Sequence, residues 1–116
     1  MRKVLVCQVA SNISSPLKEE MKNYGWMVDA CDGLLEMLRL LEDNEYELVV
    51  LGMTPRNVEI HTRIGAIKAL DKHPKIILNL DEPGKFSPSS VMLEYPVIKG
   101  ALNTQKLLQA AQGSVS

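Results

Sequence analysis

A chain of 116 residues with 13 Lys and Arg against 14 Asp and Glu is one domain of formal net charge -1, which argues against nucleic-acid binding driven by bulk charge. A hydrophobic share of 46% excludes a disordered chain and allows one core that buries about two thirds of the unfolded surface. Aromatics at 4% make that core aliphatic and leave few platforms for stacking bases or sugars.

The chain opens with Met1, Arg2 and Lys3 and goes straight into Val4, Leu5 and Val6. That run is too short for a signal-peptide core or a membrane span, so a cytoplasmic protein without membrane contact is expected. It begins a first strand over 3–7. Ser15 and Pro16 then announce a first helix as N-cap and first-turn proline, with Leu17, Met21 and Tyr24 on one stripe and Gly25 stopping it. A second strand over 26–30 follows. After Asp32 and Gly33 the leucine-rich segment reads as a broad, well-buried helix: Leu34, Leu38 and Leu41 form one stripe, widened by Leu35, Met37 and Leu40.

A third strand over 47–51 leads to a helix carrying Ile60, Ile64 and Ile67 and ending near 71–74. Its basic residues Arg56, Arg63, Lys68 and Lys72 are expected to be solvated. A fourth strand spans 75–80. Between 81 and 94, Pro83, Gly84 and Pro88 allow only a short or irregular fourth helix near 89–93. A fifth strand at 96–98 and a last helix over 103–112, capped by Asn103 and closed by Gly113, complete a single domain over 1–113 with a frayed tail at 114–116. Short β-branched runs alternating with helices predict an α/β three-layer α-β-α sandwich, with a five-stranded parallel sheet of order 2-1-3-4-5.

Two cysteines, Cys7 and Cys31, and two histidines, His61 and His73, form no metal-ligand spacing, so no metal and no cofactor are expected. The thiols read as buried and reduced. Cys7 ends a strand close to the first helix, where a thiol pKa can fall, so a cysteine-dependent phosphocarrier or thiol enzyme is the alternative. The following loop over 8–15 has neither Gly nor Arg to cradle a phosphate. In a doubly wound sheet the crevice lies beyond the strand carboxyl ends, which draws attention to Cys7, Gln8 and Val9, to Gly52, Met53 and Thr54, to Asn79, Leu80 and Asp81, and to Lys99 and Gly100.

Several segments in order resemble the receiver domain of bacterial two-component response regulators. They are Lys3 to Val6 as first strand, Tyr24, Gly25, Trp26 and Val28 followed by Ala30 and Gly33, the third-strand run Tyr46 to Leu51, Thr54 with Pro55, and Val97, Ile98 and Lys99 at the fifth strand. The resemblance implies an acidic pair after strand one and a phosphoacceptor aspartate after strand three, which hold Mg²⁺ and attack phosphorus. Cys7 and Gln8 stand at the pair, Gly52 at the acceptor, Asn79 at the switch Ser or Thr and Gly100 at the proline after the lysine. Of that set only Lys99 remains. The resemblance therefore implies a degenerate receiver, a monomer or homodimer that is not an enzyme and binds a signalling protein. Its partner face would include Met92, Tyr95, Lys99, Gln105 and Lys106. A small-ligand sensor at the crevice is a further alternative.

Overall fold

A computed structural model describes residues 2–7, 15–53, 60–71, 74–80, 94–100 and 102–111. Five strands, β1 (Arg2–Cys7), β2 (Trp26–Cys31), β3 (Leu48–Met53), β4 (Lys75–Leu80) and β5 (Val97–Lys99), pair in parallel in the order β2-β1-β3-β4-β5. The helices among the described residues are α1 (Ser15–Asn23), α2 (Leu34–Asp43), α3 (Ile60–Lys68) and α4 (Thr104–Ala111). This is the expected α/β sandwich. The short helix expected near 89–93, like the 114–116 tail, lies outside the described residues. None of the described helices is long and apolar enough to cross a membrane.

The sheet divides its side chains by the two-residue period of a strand. Leu5, Cys7, Val49, Leu51, Leu78 and Leu80 pack with Met37, Leu41, Ile64 and Ile67 under α2 and α3. Val4, Val6, Leu48, Val50 and Ile77 pack with Leu17, Met21, Leu107 and Ala110 under α1 and α4. Central strands are therefore covered on both sides, and β4 is buried at five consecutive positions, which is why they read as unbroken apolar runs. Edge strand β2 alternates from Trp26 to Asp29, and then Ala30 is exposed and Cys31 buried. Trp26 lies on this strand, buried beneath the Arg2 guanidinium at 5.1 Å from its ring centroid.

Helix ends follow local chemistry. The chain leaves α1 through Gly25 at φ +84, with its N–H on the Lys22 carbonyl, a left-handed conformation that favours glycine. Because α1 closes at Asn23, the expected stripe position of Tyr24 is not realised, and Tyr24 is 64% exposed. The breadth expected of α2 is also corrected. Met37 and Leu41 are buried, Leu34, Leu38 and Leu40 are half-buried, and Leu35 is 77% exposed. A helix lying on one sheet face buries the i, i+4 row, and Leu35 sits two residues before Met37, on the opposite side.

Helix α3 buries Ile60, Ile64 and Ile67 as expected, yet it ends at Lys68 and it also buries Arg63. The solvated reading of Arg63 is thus wrong. Arg56, Lys72 and His73 lie outside the described residues, and His61 is exposed. At α4 the Asn103 side-chain oxygen accepts the Lys106 N–H at 2.8 Å, the expected N-cap. At its other end Lys75 Nζ donates to the Ala110 carbonyl at 3.0 Å, a cation on the negative pole of the helix.

Candidate functional site at the strand carboxyl ends

Strand register brings Cys7, Gly52, Asn79 and Lys99 to one edge of the sheet. Cys7 lies beside Cys31 of β2 and Leu51 of β3, Gly52 beside Asn79, Asn79 beside Ile98, and Leu80 beside Lys99. Gln8 lies outside the described residues.

Asn79 is 1% exposed, in a sheet whose other interior side chains are apolar. A buried amide needs partners, because an unpaired one loses its water without compensation. Asn79 Nδ2 donates to the Ile98 carbonyl at 3.0 Å and to the Gly100 carbonyl at 2.9 Å. The side chain thus clamps the backbone on either side of Lys99. Gly100 completes the corner at φ +83, with its N–H on the Leu80 carbonyl at 2.8 Å. A proline there lacks the donor and holds φ near -65°, so this corner excludes it. Lys106 Nζ, on the first turn of α4, donates to the Lys99 carbonyl at 2.8 Å. The Lys99 side chain is exposed at the rim.

At the other end of the edge, the Cys7 and Cys31 sulfurs are 2.9 Å apart, both buried. Hydrogen bonding to Cys31 and burial push the Cys7 thiol far above its usual range. Hydrogen bonding with Cys7 holds the Cys31 thiol below its usual value, against the opposing effect of burial. Arg63 Nη2 reaches over from α3 to the Asp32 carbonyl at 2.8 Å, and its charge favours the thiolate form at both cysteines. Sequence reasoning missed this cluster. The signal was nonetheless present, since Cys7 and Cys31 are the last residues of two strands that run side by side.

These donors do not fit Mg²⁺. The ion requires hard oxygen ligands in an octahedral shell, whereas Cys7 supplies a buried thiol, Gly52 no side chain and Asn79 an amide whose nitrogen is held on two carbonyls. Among the described residues no group of three or more His, Cys, Asp or Glu side chains is placed to hold a metal ion.

Of the residues expected on the partner face, Lys99 and Lys106 meet through the Lys106 Nζ bond to the Lys99 carbonyl. Lys99 and Gln105 are exposed and Tyr95 and Lys106 are half-buried, while Met92 lies outside the described residues. Tyr95 packs against the core and is met by Lys68 Nζ, 5.4 Å from its ring centroid. Hydrogen bonding to Tyr95 raises the Lys68 pKa. Close by, a cavity of about 690 Å³ opens between α1 and α4, with Glu20, Tyr24, Thr104, Gln105 and Leu108 among its lining. Thr104 Oγ1 donates across it to Glu20 Oε2 at 2.6 Å, tying the two helices together.

The sequence matches no protein-family model and no curated protein. Solved structures do match over almost the full chain. A chain in the crystal structure of the histidine kinase ThkA in complex with the response regulator protein TrrA superposes with a TM-score of 0.73 at 23% identity, covering 100% of both chains. TrrA from Thermotoga maritima in complex with Mg²⁺ and BeF gives 0.72 at 23%, covering 98% of this chain and 99% of that one. The receiver domain of NtrC4 from Aquifex aeolicus gives 0.66 at 16%, covering 98% and 96%. The fold is therefore that of response-regulator receiver domains.

Proposed function

We propose that this chain is a receiver-type signalling module that acts without aspartyl phosphorylation, by binding a protein partner. The observation that carries this reading is Asn79. It stands opposite Gly52 in the β3–β4 register and spends its amide nitrogen on the Ile98 and Gly100 carbonyls. The pair of positions that would accept and sense a phosphoryl group in an ordinary receiver here offers no nucleophile and a structural clamp. Phosphotransfer needs an attacking carboxylate and a metal held by hard oxygen ligands, and Cys7, Gly52 and Asn79 supply no carboxylate.

Output is then set by concentration or by the partner. Tyr95, Lys99, Gln105 and Lys106 make up the proposed contact face, and Met92, outside the described residues, is proposed to belong to it. A histidine kinase or another two-component protein is the proposed class of partner, by analogy with the kinase complex among the structural neighbours. In this reading the module is a cytoplasmic protein and not an enzyme. Catalysis by Cys7 is disfavoured because its sulfur is fully buried and its thiol form is stabilised.

Intact-mass spectrometry after incubation with acetyl phosphate and Mg²⁺ tests the proposal. No phosphoryl adduct is expected under conditions that load an ordinary receiver. A stoichiometric, acid-stable and base-labile adduct on a carboxylate would overturn it, and an adduct on Cys7 would support the enzyme alternative.

A further inference from the structure

We propose that Cys7 and Cys31 are a redox modification site that closes to a reversible intramolecular disulfide under peroxide. Three independent features of the fold meet at this pair. The two residues are register partners at the ends of adjacent parallel strands. Neighbouring strands lie about 4.8 Å apart, inside the Cα separation of about 4.4–6.8 Å that a disulfide spans. Both side chains project to the same face of the sheet, into the core beneath α2 and α3. Their sulfurs stand 2.9 Å apart, within about 1 Å of a covalent S–S bond of about 2.04 Å. Closure therefore needs only a small side-chain adjustment, with no movement of strands.

The electrostatic setting assigns the roles. Cys31 is the more accessible residue, 5% exposed against 0% for Cys7, and it is flanked by exposed Ala30 and Asp32. The two sulfurs share a hydrogen bond in which either can donate, and Arg63 favours the Cys31 thiolate while Glu36 and Asp32 oppose it. The Cys31 thiolate attacks one peroxide oxygen, the O–O bond breaks, and the departing hydroxide takes up a proton to leave as water, which makes Cys31 a sulfenic acid. The Cys7 sulfur then attacks the Cys31 sulfur. The S–S bond forms as the S–O bond breaks, and the Cys7 proton leaves with the hydroxyl as a second water. Two thiols have given two electrons to one peroxide. In a reducing compartment the pair rests as dithiol and closes only transiently, as sensing disulfides do.

The crosslink would be placed at the same edge as Gly52, since Cys7 also pairs with Leu51. It joins residues separated by 24 positions, a loop long enough for a substantial loss of unfolded-state entropy. This inference rests on the β1–β2 geometry and is independent of the proposed partner binding.

The test uses the whole chain, fully reduced and then treated with hydrogen peroxide, unfolded, and alkylated with iodoacetamide. The expected product has lost two hydrogens, takes up no alkyl group, and yields one peptide pair linking Cys7 to Cys31 after proteolysis. Phosphine reductant restores two alkylation sites. The oxidised protein is expected to melt roughly 10 °C higher than the reduced one, a shift absent from Cys31→Ser and from Cys31→Ala. The mapping on the natural sequence stands by itself should a variant fail to fold. Two alkyl groups after oxidation, crosslinks only between molecules, or stepwise oxidation of one cysteine to sulfinic acid would each overturn the proposal.

Discussion

Replacing Asn79 by alanine isolates the clamp on which the site reading depends. The substitution removes two donated bonds, at 3.0 and 2.9 Å, each worth about 1 kcal/mol net, and it strands the Ile98 carbonyl in a dry site at a further cost of about 1 kcal/mol or more. A loss near 3 kcal/mol is therefore expected. With a urea slope of about 1.5 kcal/mol/M for a domain of this size, the midpoint falls by about 2 M. Melting falls by about 12 °C. Asn79→Asp supplies a control of matching shape, turning carboxylate oxygens onto the same two carbonyls. Burial raises the carboxyl pKa of that variant above the unfolded value of about 3.9, so its stability is greatest in acid and is lost as pH rises through the folded pKa. Paired urea titrations at neutral and acidic pH read both effects. A loss below about 1 kcal/mol for Asn79→Ala, together with a pH-independent Asn79→Asp, would show that the amide does not hold the β4–β5 corner.

Gly100 tests the same corner from the backbone. Gly100→Ala places a Cβ at φ +83, 3.4 Å from Lys106 Nζ, and is expected to cost about 1–2 kcal/mol by thermal unfolding. Gly100→Pro also removes the donor to Leu80 and should cost about 3 kcal/mol or more. Tyr46 donates to Asp29 Oδ2 at 2.6 Å, and burial first, then this bond, hold its phenol above the ordinary value of 10.0. The raised folded pKa means that its stabilising effect is complete below pH 10.0 and fades as the unfolded chain begins to ionise above it. Alkaline denaturation should therefore steepen above that pH, and Tyr46→Phe, costing about 1–2 kcal/mol at neutral pH, should remove the Tyr46 share. On α2, Leu35→Lys is expected to change stability by less than about 0.5 kcal/mol. Met37→Ala, which empties a fully buried site, is expected to cost about 2–5 kcal/mol in the same urea titration.

Much of the fold was legible because its determinants are short-range. Consecutive apolar β-branched residues mark a strand covered on both sides, and the runs beginning at Lys3 and Lys75 carry that mark. Gly25 supplies a left-handed turn, and Asn103 supplies an acceptor to the first turn of α4. The positions at the strand ends were also readable, since a parallel sheet delivers every strand to the same edge.

Sequence by itself determined the alternation of strands and helices, the order of the sheet, and a glycine, Gly52, near the end of the third strand. Only the tertiary structure decided what the remaining polar residues do. Arg63 has the spacing of an exposed helical residue as much as of a buried one, and its burial depends on a carbonyl, that of Asp32, 31 residues away. Asn79 looks like a worn switch residue until β5 is laid beside it, and then it is a clamp. Cys7 and Cys31 look like two unrelated buried thiols until β1 and β2 come into register. Periodicity records which way a side chain faces its own element, and it carries no information about what another element brings to meet it. That is set by long-range pairing, where a shift of one residue would separate every pair described.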